Sequence, residues 1–213
     1  TTLFRSINYP NNPTGAVATK AFYEKLVAWA KTYEVGVVSD LAYGALGYQG
    51  YENPSFLSTP GAKDVGIEFY TFSKTFNMAG WRLAFAAGND QMIEALNLIQ
   101  DHLFVGIFPA LQEAGIAALL DPKSEEAVAQ LNATYDSRRD AFVQTASKIG
   151  WQAFPSRGSF YAWMPVPEGY TSESFADLLL EKAHVAVAPG KGFGPAGDAY
   201  VRIGLLVEPE RLV

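Results

Sequence analysis

The chain contains no cysteine in its 213 residues and only two histidines. Disulfides, thiolate metal centres and a cysteine nucleophile are therefore excluded. His102 and His184 have no acidic or histidine partners at metal-ligand spacing, so the sequence predicts no metal site and assigns both to packing or surface. No serine–histidine–acid arrangement is visible either, and a hydrolytic triad is not predicted.

Long apolar runs and a surplus of basic residues are also missing. No stretch reaches the roughly 18 apolar residues that a membrane-spanning helix needs, and the first residues do not form a signal peptide. The formal net charge is −6 and no basic run contradicts it, so neither nucleic acid nor a membrane surface is an expected partner. The composition predicts a soluble cytoplasmic protein.

What the chain does contain is enough apolar material for a sizeable core, since hydrophobic residues make up 49% of it. Its two ends are unusual, because residues 3–8 have the pattern of a buried strand and residues 208–213 that of a helix start. An element cut at its end would leave a strand edge and apolar surface exposed. We therefore expect the chain to be a segment of a longer polypeptide.

Strand-like and helix-like segments alternate in the first half. Four short, mostly apolar runs are typical of strands covered on both faces of a parallel sheet: residues 3–8, 35–39, 67–72 and 83–87. One helix is predicted from the N-cap Thr19 to about residue 33 and another over residues 90–103. One apolar face of the first helix carries Phe22, Leu26, Trp29 and Tyr33. This alternation predicts an α/β fold with functional groups at the carboxyl ends of its strands.

A long helical pattern over residues 124–149 follows, with Asp121-Pro122 as its start and Gly150 as its stop. Such a helix would be roughly 40 Å long, more than one small domain needs. The predicted organisation is a large domain (1–123), an interdomain helix (124–150) and a small α+β domain that is cut short (151–213). In the small domain we predict strands at 159–166, 185–188 and 199–206 and a helix at 172–183.

The most informative stretch is Ser73-Lys74-Thr75-Phe76-Asn77-Met78-Ala79-Gly80-Trp81-Arg82. A lysine at a strand end that is walled by aromatic residues can be desolvated and nucleophilic. An arginine close by can hold a phosphate through paired, charge-assisted hydrogen bonds. Together Lys74 and Arg82 suggest a Schiff base with a phosphorylated aldehyde, which means pyridoxal phosphate. The alternative is a surface lysine and a surface arginine that flank a loop.

Asp40, at the end of a predicted buried strand, is a second candidate. Its carboxylate could pair with a cationic ring nitrogen, and a protonated pyridine ring is an electron sink for a carbanion. Alternatively, Asp40 caps the turn that follows it. Tyr43, three residues further on, could place its hydroxyl near the same ring or could simply pack.

Asn12 and Arg202 carry weaker signals. Asn12 lies in a turn, where asparagine is expected for conformational reasons alone. Arg202 lies among apolar residues of a strand, where an arginine needs an anion, and a bidentate carboxylate suits it best. A structural partner such as Glu208 is the alternative. The loop at residues 189–195 lacks the spacing of a dinucleotide site, but it could line a ligand cleft.

Four motifs in this order resemble the class I/II aminotransferases, which are fold-type-I pyridoxal phosphate enzymes: Asn-Pro-Thr-Gly at 12–15, Asp-x-x-Tyr at 40–43, Ser-Lys-x₇-Arg at 73–82, and the late strand arginine at 202. The resemblance covers essentially the whole chain and is greatest to bacterial members near the methionine-salvage ketomethiobutyrate aminotransferases. Family members are longer. The part expected before residue 1 would hold a second phosphate loop, a ring-stacking aromatic residue and residues of the neighbouring subunit's site, so the segment alone is not expected to be catalytically competent.

The resemblance also implies how the cofactor is held. Lys74 would form the Schiff base and carry the proton between the substrate α-carbon and the cofactor. Asp40 would pair with the ring nitrogen, while Asn12 and Tyr43 would hydrogen-bond the ring oxygen.

The remaining site residues are implied in the same way. Arg82 would bind the phosphate, with the hydroxyl groups of Thr71 and Ser73 as helpers. Arg202 would bind the substrate α-carboxylate.

The activity implied by the resemblance is ping-pong transfer of an amino group between an amino acid and a 2-oxo acid. Two alternatives stay open: a pyridoxal phosphate-dependent β-elimination lyase, and a non-catalytic aminotransferase-like sensor domain of a transcription regulator. The resemblance further implies a homodimer with its active site at the subunit interface. The sequence does not identify the amino donor or acceptor.

Overall fold

A computed structural model describes residues 3–154 and 156–212. The chain divides into two compact units. The first is built from residues up to 10, 18–46 and 52–131, and the second from 11–17, 47–51 and the residues from 132 onward. Two short segments of the first half therefore pack with the second unit. The domain limits predicted from the sequence, at residues 123 and 150, stay a prediction.

The first unit contains a four-stranded sheet in the order β1–β2–β3–β4. Its strands are β1 (Phe4–Asn8), β2 (Gly36–Asp40), β3 (Gly66–Thr71) and β4 (Ala84–Gly88). The first three run parallel, as predicted, whereas β4 is antiparallel to β3. Our expectation that residues 83–87 form another parallel-type strand was wrong. The connection between β3 and β4 contains only a four-residue helix (Phe72–Thr75) and a 3₁₀ turn (Ala79–Trp81), and not the long crossover helix that usually joins parallel neighbours.

Five helices accompany this sheet: α1 (Lys20–Tyr33), α2 (Ala62–Val65), α3 (Phe72–Thr75), α4 (Asp90–Leu103) and α5 (Pro109–Leu120). The predicted N-cap of α1 is present, because the Thr19 side chain accepts a 3.1 Å hydrogen bond from the Phe22 N–H. The sequence patterns did not indicate α5. Its apolar residues surround the helix, so no helical period stands out, although Pro109 is a favourable first residue.

The buried face of α1 differs from the apolar face read from the sequence. Tyr23, Val27 and Ala30 are buried, whereas Trp29 and Tyr33 are exposed and pack ring against ring at 5.7 Å. The core of the unit consists of Ala18, Tyr23, Val27, Ala30, Val37, Phe56 and Ala62. Two neighbouring faces of α1 are apolar, and packing against the sheet selects one of them.

A buried carboxylate stabilises the core of the first unit. Glu68 of β3 accepts hydrogen bonds from the Ser39 hydroxyl at 3.0 Å and from the Phe56 N–H at 2.8 Å, and a third from the Ser55 hydroxyl. Because each of these donors is satisfied by the same side chain, Glu68 ties the segment around Ser55 to strands β2 and β3.

The second unit contains the antiparallel sheet β5–β7–β6 and two helical segments. Its elements are most of α6 (Ser124–Lys148), then β5 (Tyr161–Pro165), α7 (Ser172–Ala183), β6 (Ala188–Pro189) and β7 (Tyr200–Gly204). The predicted helix at 172–183 is confirmed, while the predicted strand at 185–188 is reduced to a two-residue pairing. Its core consists of Phe142, Ala146, Ala162, Met164, Phe175, Val201 and Leu205. In the described part of the chain, no helix combines the length and apolar character needed to cross a membrane.

Candidate active site

Five of the predicted site residues of the first unit lie at or beside one edge of its sheet. Asp40 ends β2 and Thr71 ends β3, and Ser73 and Lys74 belong to α3, which follows β3 directly. Strand register places Asp40 beside Phe69, which precedes Thr71 by two residues. Because β4 is antiparallel, its start lies opposite Thr71, and this brings Arg82, just before β4, to the same edge.

Asp40 has one carboxylate oxygen engaged by the chain itself. Its Oδ1 accepts a 3.1 Å hydrogen bond from the Ala42 N–H, so the turn-capping alternative holds for this atom. Partial burial of the carboxyl group raises its pKa above the ordinary value, and the Ala42 hydrogen bond opposes that effect in part. Among residues 3–154 and 156–212, no lysine, arginine or histidine forms an ion pair with Asp40. Asp40 remains exposed on the folded protein and has no cationic partner among the described residues, so its carboxylate is suited to a cationic ligand.

Lys74 is the third residue of α3 and is half-buried between the buried Phe72 and Thr75. Thr71 caps this short helix, because its hydroxyl accepts a 3.2 Å hydrogen bond from the Ser73 N–H. The same hydroxyl lies 3.0 Å from the Ser73 hydroxyl, to which it donates. The two hydroxyl groups and the amine are therefore positioned by one tight turn at the end of β3.

Aromatic packing anchors that turn. The Phe72 ring contacts Phe76 and Phe85, with ring centroids 5.7 and 6.0 Å apart. The Phe72 N–H also donates to the Leu83 carbonyl at 3.2 Å, which links the start of α3 to the residue after Arg82. Gly115 of α5 contacts both side chains, since a Cβ built there would lie 2.6 Å from Leu83 Cδ2 and 3.2 Å from Phe72 Cζ. The segments that carry Lys74 and Arg82 are thus held by one packed cluster.

Arg82 itself is exposed and adopts a left-handed backbone conformation, with φ at 53°. One guanidinium nitrogen, Nη1, donates a 3.0 Å hydrogen bond to the Ala79 carbonyl. An arginine has five N–H donors, so this bond commits only a fraction of them. In the described part of the chain, no carboxylate pairs with Arg82. The arrangement suits an anion that comes from outside the chain.

Tyr43 is buried, in contrast to Asp40. It lies in the turn after β2, where the Gly44 N–H donates to the Leu41 carbonyl and the Leu46 N–H donates to the Tyr43 carbonyl. The turn therefore determines the backbone position of Tyr43, whose side chain is buried.

The other two predicted site residues contact each other within the second unit. Arg202 of β7 donates a hydrogen bond from Nη1 to the Asn12 Oδ1 at 2.7 Å. The neighbouring Asn11 stabilises the turn, because the Asn11 Oδ1 accepts from the Thr14 N–H at 3.2 Å and from the Thr14 hydroxyl at 2.7 Å. The turn is stabilised by Asn11, and the Asn12 amide oxygen binds an arginine.

Glu208, the structural partner considered for Arg202, pairs with Arg138 instead, at 2.5 Å. No carboxylate of the described residues pairs with Arg202, which is half-buried. Two aromatic rings approach its guanidinium carbon, Tyr161 at 4.2 Å and Phe193 at 4.7 Å from the ring centroids. The sequence reasoning missed both rings.

The position of Tyr161 follows from the way side chains alternate between the two faces of a strand. Trp163 pairs with Arg202 across β5 and β7, so Tyr161, two residues earlier on β5, lies on the same face of the sheet. Phe193 had no comparable signal, because it belongs to a loop that the fold brings back to the sheet.

The first unit therefore offers a donor set with a definite chemical character. A carboxylate without a cation, a half-buried amine, two hydroxyl groups and an exposed guanidinium lie along one sheet edge. Pyridoxal phosphate carries groups that match them: a basic ring nitrogen, a reactive carbonyl carbon and a phosphate. The chemistry of the residues fits this cofactor.

Comparison with known proteins gives matches over nearly the whole chain. The family model for aminotransferase class I and II matches residues 6–212. The chain is 59% identical over 206 residues to an L-glutamine–4-(methylsulfanyl)-2-oxobutanoate aminotransferase of Bacillus subtilis, covering 97% of this chain and 51% of the relative. This agrees with the predicted placement near the ketomethiobutyrate aminotransferases.

Other relatives point the same way. An LL-diaminopimelate aminotransferase of Moorella thermoacetica is 48% identical, with 97% of this chain and 52% of the relative covered. The solved apo structure of BacF from Bacillus subtilis superposes with a TM-score of 0.95 at 46% identity, covering 99% of this chain and 53% of that one. The chain spans about half the length of the curated relatives that it matches.

Proposed function

Because the chain belongs to the class I and II aminotransferases, a family of pyridoxal phosphate enzymes, we propose that it serves in the transfer of an amino group between an amino acid and a 2-oxo acid. The observation that carries this proposal is the placement of Asp40, Lys74 and Arg82 at one edge of the sheet, where each side chain matches a different group of the cofactor. The lyase and sensor alternatives draw no support from the named relatives, which are aminotransferases.

When bound, pyridoxal phosphate supplies a ring that takes up the electron pair left behind as the substrate α-proton departs. Asp40 would hold the ring nitrogen in its protonated form, because its carboxylate has no cationic partner within the described residues. Lys74 would hold the cofactor through Nζ and then carry a proton at that atom to and from the substrate α-carbon.

Binding of the phosphate falls to three further residues of this edge. Arg82 would bind the phosphate through its remaining guanidinium donors, assisted by the hydroxyl groups of Thr71 and Ser73. Tyr43 and Asn12 would hydrogen-bond the ring oxygen. Each of these roles is part of the proposal.

Arg202 would bind the α-carboxylate of the substrate. Its support is local: a half-buried guanidinium that has a neutral amide and two aromatic rings around it and no carboxylate among the described residues. A half-buried guanidinium in such surroundings keeps N–H donors with which it can bind a carboxylate in a bidentate manner.

We also propose a cytoplasmic homodimer with the active site at the subunit interface. The support is a group of exposed apolar side chains on and between α4 and α5: Leu98, Leu103, Phe104, Val105, Phe108 and Leu120. Groups of exposed apolar side chains often mark protein–protein interaction sites. Sedimentation velocity of the full-length protein should give twice the mass of one chain, and a fully active monomer would contradict the proposal.

A half-reaction screen tests the activity. Full-length protein loaded with pyridoxal phosphate is mixed with single amino acids, including L-glutamine and methionine, and conversion of the cofactor to its pyridoxamine form is followed by absorbance. The relative of Bacillus subtilis is named for L-glutamine and 4-(methylsulfanyl)-2-oxobutanoate, which makes these two the first donor and acceptor to try. Release of ammonia with a 2-oxo acid would indicate a lyase. Binding without conversion of any amino acid would indicate a sensor.

A further inference from the structure

The surroundings of Arg202 are unusual for a half-buried arginine. The Tyr161 and Phe193 ring centroids lie 4.2 and 4.7 Å from its guanidinium carbon, well inside the range of cation–π attraction. In the described part of the chain, the Arg202 guanidinium donates one hydrogen bond, to the neutral amide oxygen of Asn12 at 2.7 Å. The cation is therefore stabilised without being neutralised.

This distinction matters for a residue that must bind a carboxylate. A carboxylate of the protein could also restrict the guanidinium. It would, however, accept hydrogen bonds from the N–H donors and so compete with the carboxylate of the ligand. Aromatic rings attract the cation through their π faces and accept none of the in-plane N–H groups in conventional hydrogen bonds. Aromatic contacts can restrict the side chain and still leave most of its five donors open.

Both rings are positioned by the second unit itself. Tyr161 pairs across the sheet with Gly204, which has no side chain, and its ring lies against Arg202. Phe193 ends a 3₁₀ turn that begins at Gly190, and its ring meets Trp163 edge to face at 6.0 Å. Trp163 in turn stacks on Tyr200 at 5.2 Å.

The turn that carries Phe193 is determined by a close backbone contact. A Cβ built on Gly190 would lie 2.1 Å from the Gly197 carbonyl oxygen, and a Cβ on Gly197 would lie 2.1 Å from that of Gly190. Only two glycines allow this approach. The Lys191 N–H adds a 3.2 Å hydrogen bond to the Ser172 hydroxyl. The loop therefore presents Phe193 in one defined place.

We propose that Tyr161 and Phe193 are positioning residues, which hold the Arg202 guanidinium ready for a carboxylate ligand while leaving its donors open. The inference rests on the proposed role of Arg202 in binding the substrate carboxylate. Without the rings, Arg202 would sample more rotamers and would lose that freedom on binding. Ligand affinity should then fall, whereas the steps after binding should change little.

The test uses the full-length holoenzyme and the variants Tyr161→Leu, Phe193→Leu and their combination. Isothermal titration calorimetry measures the Kd of a 2-methyl amino acid, which carries the carboxylate but no α-hydrogen to transfer. Each leucine variant should bind about threefold to fivefold more weakly and the double variant about tenfold or more, on the scale of cation–π contacts. KM should rise by similar factors while kcat changes less than twofold.

Conservative variants separate ring chemistry from general packing. Tyr161→Phe keeps the ring and should restore most of the lost affinity, and Phe193→Tyr should do the same. Tyr33→Leu, which removes an exposed ring on α1, serves as the matched control and should bind like the unaltered protein. If a leucine variant does not fold, as judged by near-ultraviolet circular dichroism, methionine replaces leucine and the result is read in the same way.

A thermodynamic cycle with Arg202→Ala completes the test. In that background, removal of the rings should have no further effect, because their action passes through Arg202. An Arg202→Ala variant that binds normally would overturn the proposed role of Arg202 itself. If Arg202→Ala weakens binding but the leucine variants do not, only the positioning proposal fails. Equal losses with and without Arg202 would likewise overturn it and show that the rings contact the ligand directly.

Discussion

Arg202 Nη1 donates a 2.7 Å hydrogen bond to Asn12 Oδ1, although 190 residues separate the two in the chain. A neutral amide orients the guanidinium without cancelling its charge. The neighbouring Asn11 performs the task that asparagines usually have in turns, by accepting two hydrogen bonds from Thr14. Two adjacent asparagines thus differ in function, and this difference can be measured.

The first prediction compares Asn12→Ala with Asn11→Ala. Loss of a hydrogen bond to a charged group is worth about 1.5–3 kcal/mol, so Asn12→Ala should weaken carboxylate binding by roughly tenfold to a hundredfold. Asn11→Ala should instead lower the free energy of unfolding by about 1–2 kcal/mol, because two donors lose their acceptor. Calorimetric Kd values measure the effect on carboxylate binding, and urea unfolding measures the effect on stability. The assignment fails if Asn12→Ala changes only stability.

The second prediction concerns Lys74. In full-length protein with pyridoxal phosphate, borohydride should attach the cofactor covalently to the peptide that contains Lys74, and the absorbance band of the bound cofactor should disappear. Lys74→Ala should abolish this labelling and lower kcat by about 10²–10⁴-fold or more. Lys63→Ala removes an exposed lysine that pairs with Asp90 at 3.5 Å, and it should label normally. If the absorbance band of the bound cofactor is unchanged in Lys74→Ala, Lys74 does not form the Schiff base.

The third prediction concerns Asp40 and pH. Burial raises the pKa of its carboxyl group, so the folded protein binds the proton more tightly than the unfolded chain. Without cofactor, Asp40 should therefore reduce stability at neutral pH, and this penalty should shrink as the pH falls toward the ordinary value of 3.8. Cofactor-free Asp40→Asn should melt slightly higher than the unaltered protein at pH 7 and nearly equally at pH 4.

The same substitution should act in the opposite sense once cofactor is present. A ring cation beside Asp40 would favour the ionised carboxylate, so Asp40→Asn should bind pyridoxal phosphate more weakly. Asp64→Asn serves as a surface control, since Asp64 is exposed and pairs with Lys31. Equal cofactor affinity for Asp40→Asn and Asp64→Asn would contradict the ring-nitrogen role.

The fourth prediction concerns Glu68. Glu68→Ala leaves the Phe56 N–H and the hydroxyl groups of Ser39 and Ser55 without their acceptor. Each buried donor left unsatisfied costs about 1–3 kcal/mol, so urea unfolding should show a loss of several kcal/mol. Glu68→Gln keeps one acceptor oxygen, so its free energy of unfolding should lie between those of the unaltered protein and Glu68→Ala. If Glu68→Ala leaves the free energy of unfolding unchanged, water must replace the carboxylate as the acceptor.

The fifth prediction concerns the loop that carries Phe193. Gly190→Ala places a Cβ 2.1 Å from the Gly197 carbonyl oxygen, which is backbone and can yield only if the turn shifts. We expect a loss of about 1–3 kcal/mol in the free energy of unfolding, together with weaker carboxylate binding. Gly192→Ala is the matched control, because nothing lies within 4 Å of its Cβ position. Similar losses in both variants would point to loop flexibility and not to the close contact.

Local signals made the helices with clear ends predictable. The Thr19 cap and the limits of α4 and α7 were visible in the sequence, because caps and a one-sided apolar pattern depend on neighbouring residues alone. The helix α5 was not visible, since apolar residues surround it and its period is hidden. The direction of β4 was misjudged for a different reason: a strand's composition does not reveal which way it pairs.

Residue types and their order along the chain indicated which chemistry is available, because an amine, a carboxylate and a guanidinium each match a different group of the cofactor. Lys74, Asp40 and Arg82 were predicted as site residues from their residue type and their position at or after the end of a strand. The partners of other polar residues became known only from the tertiary structure. Arg202 contacts Asn12 and two aromatic rings, and Glu208 pairs with Arg138. Hydrogen bonds and ring contacts act over a few ångströms, and only folding brings residues that are far apart in the chain within that range.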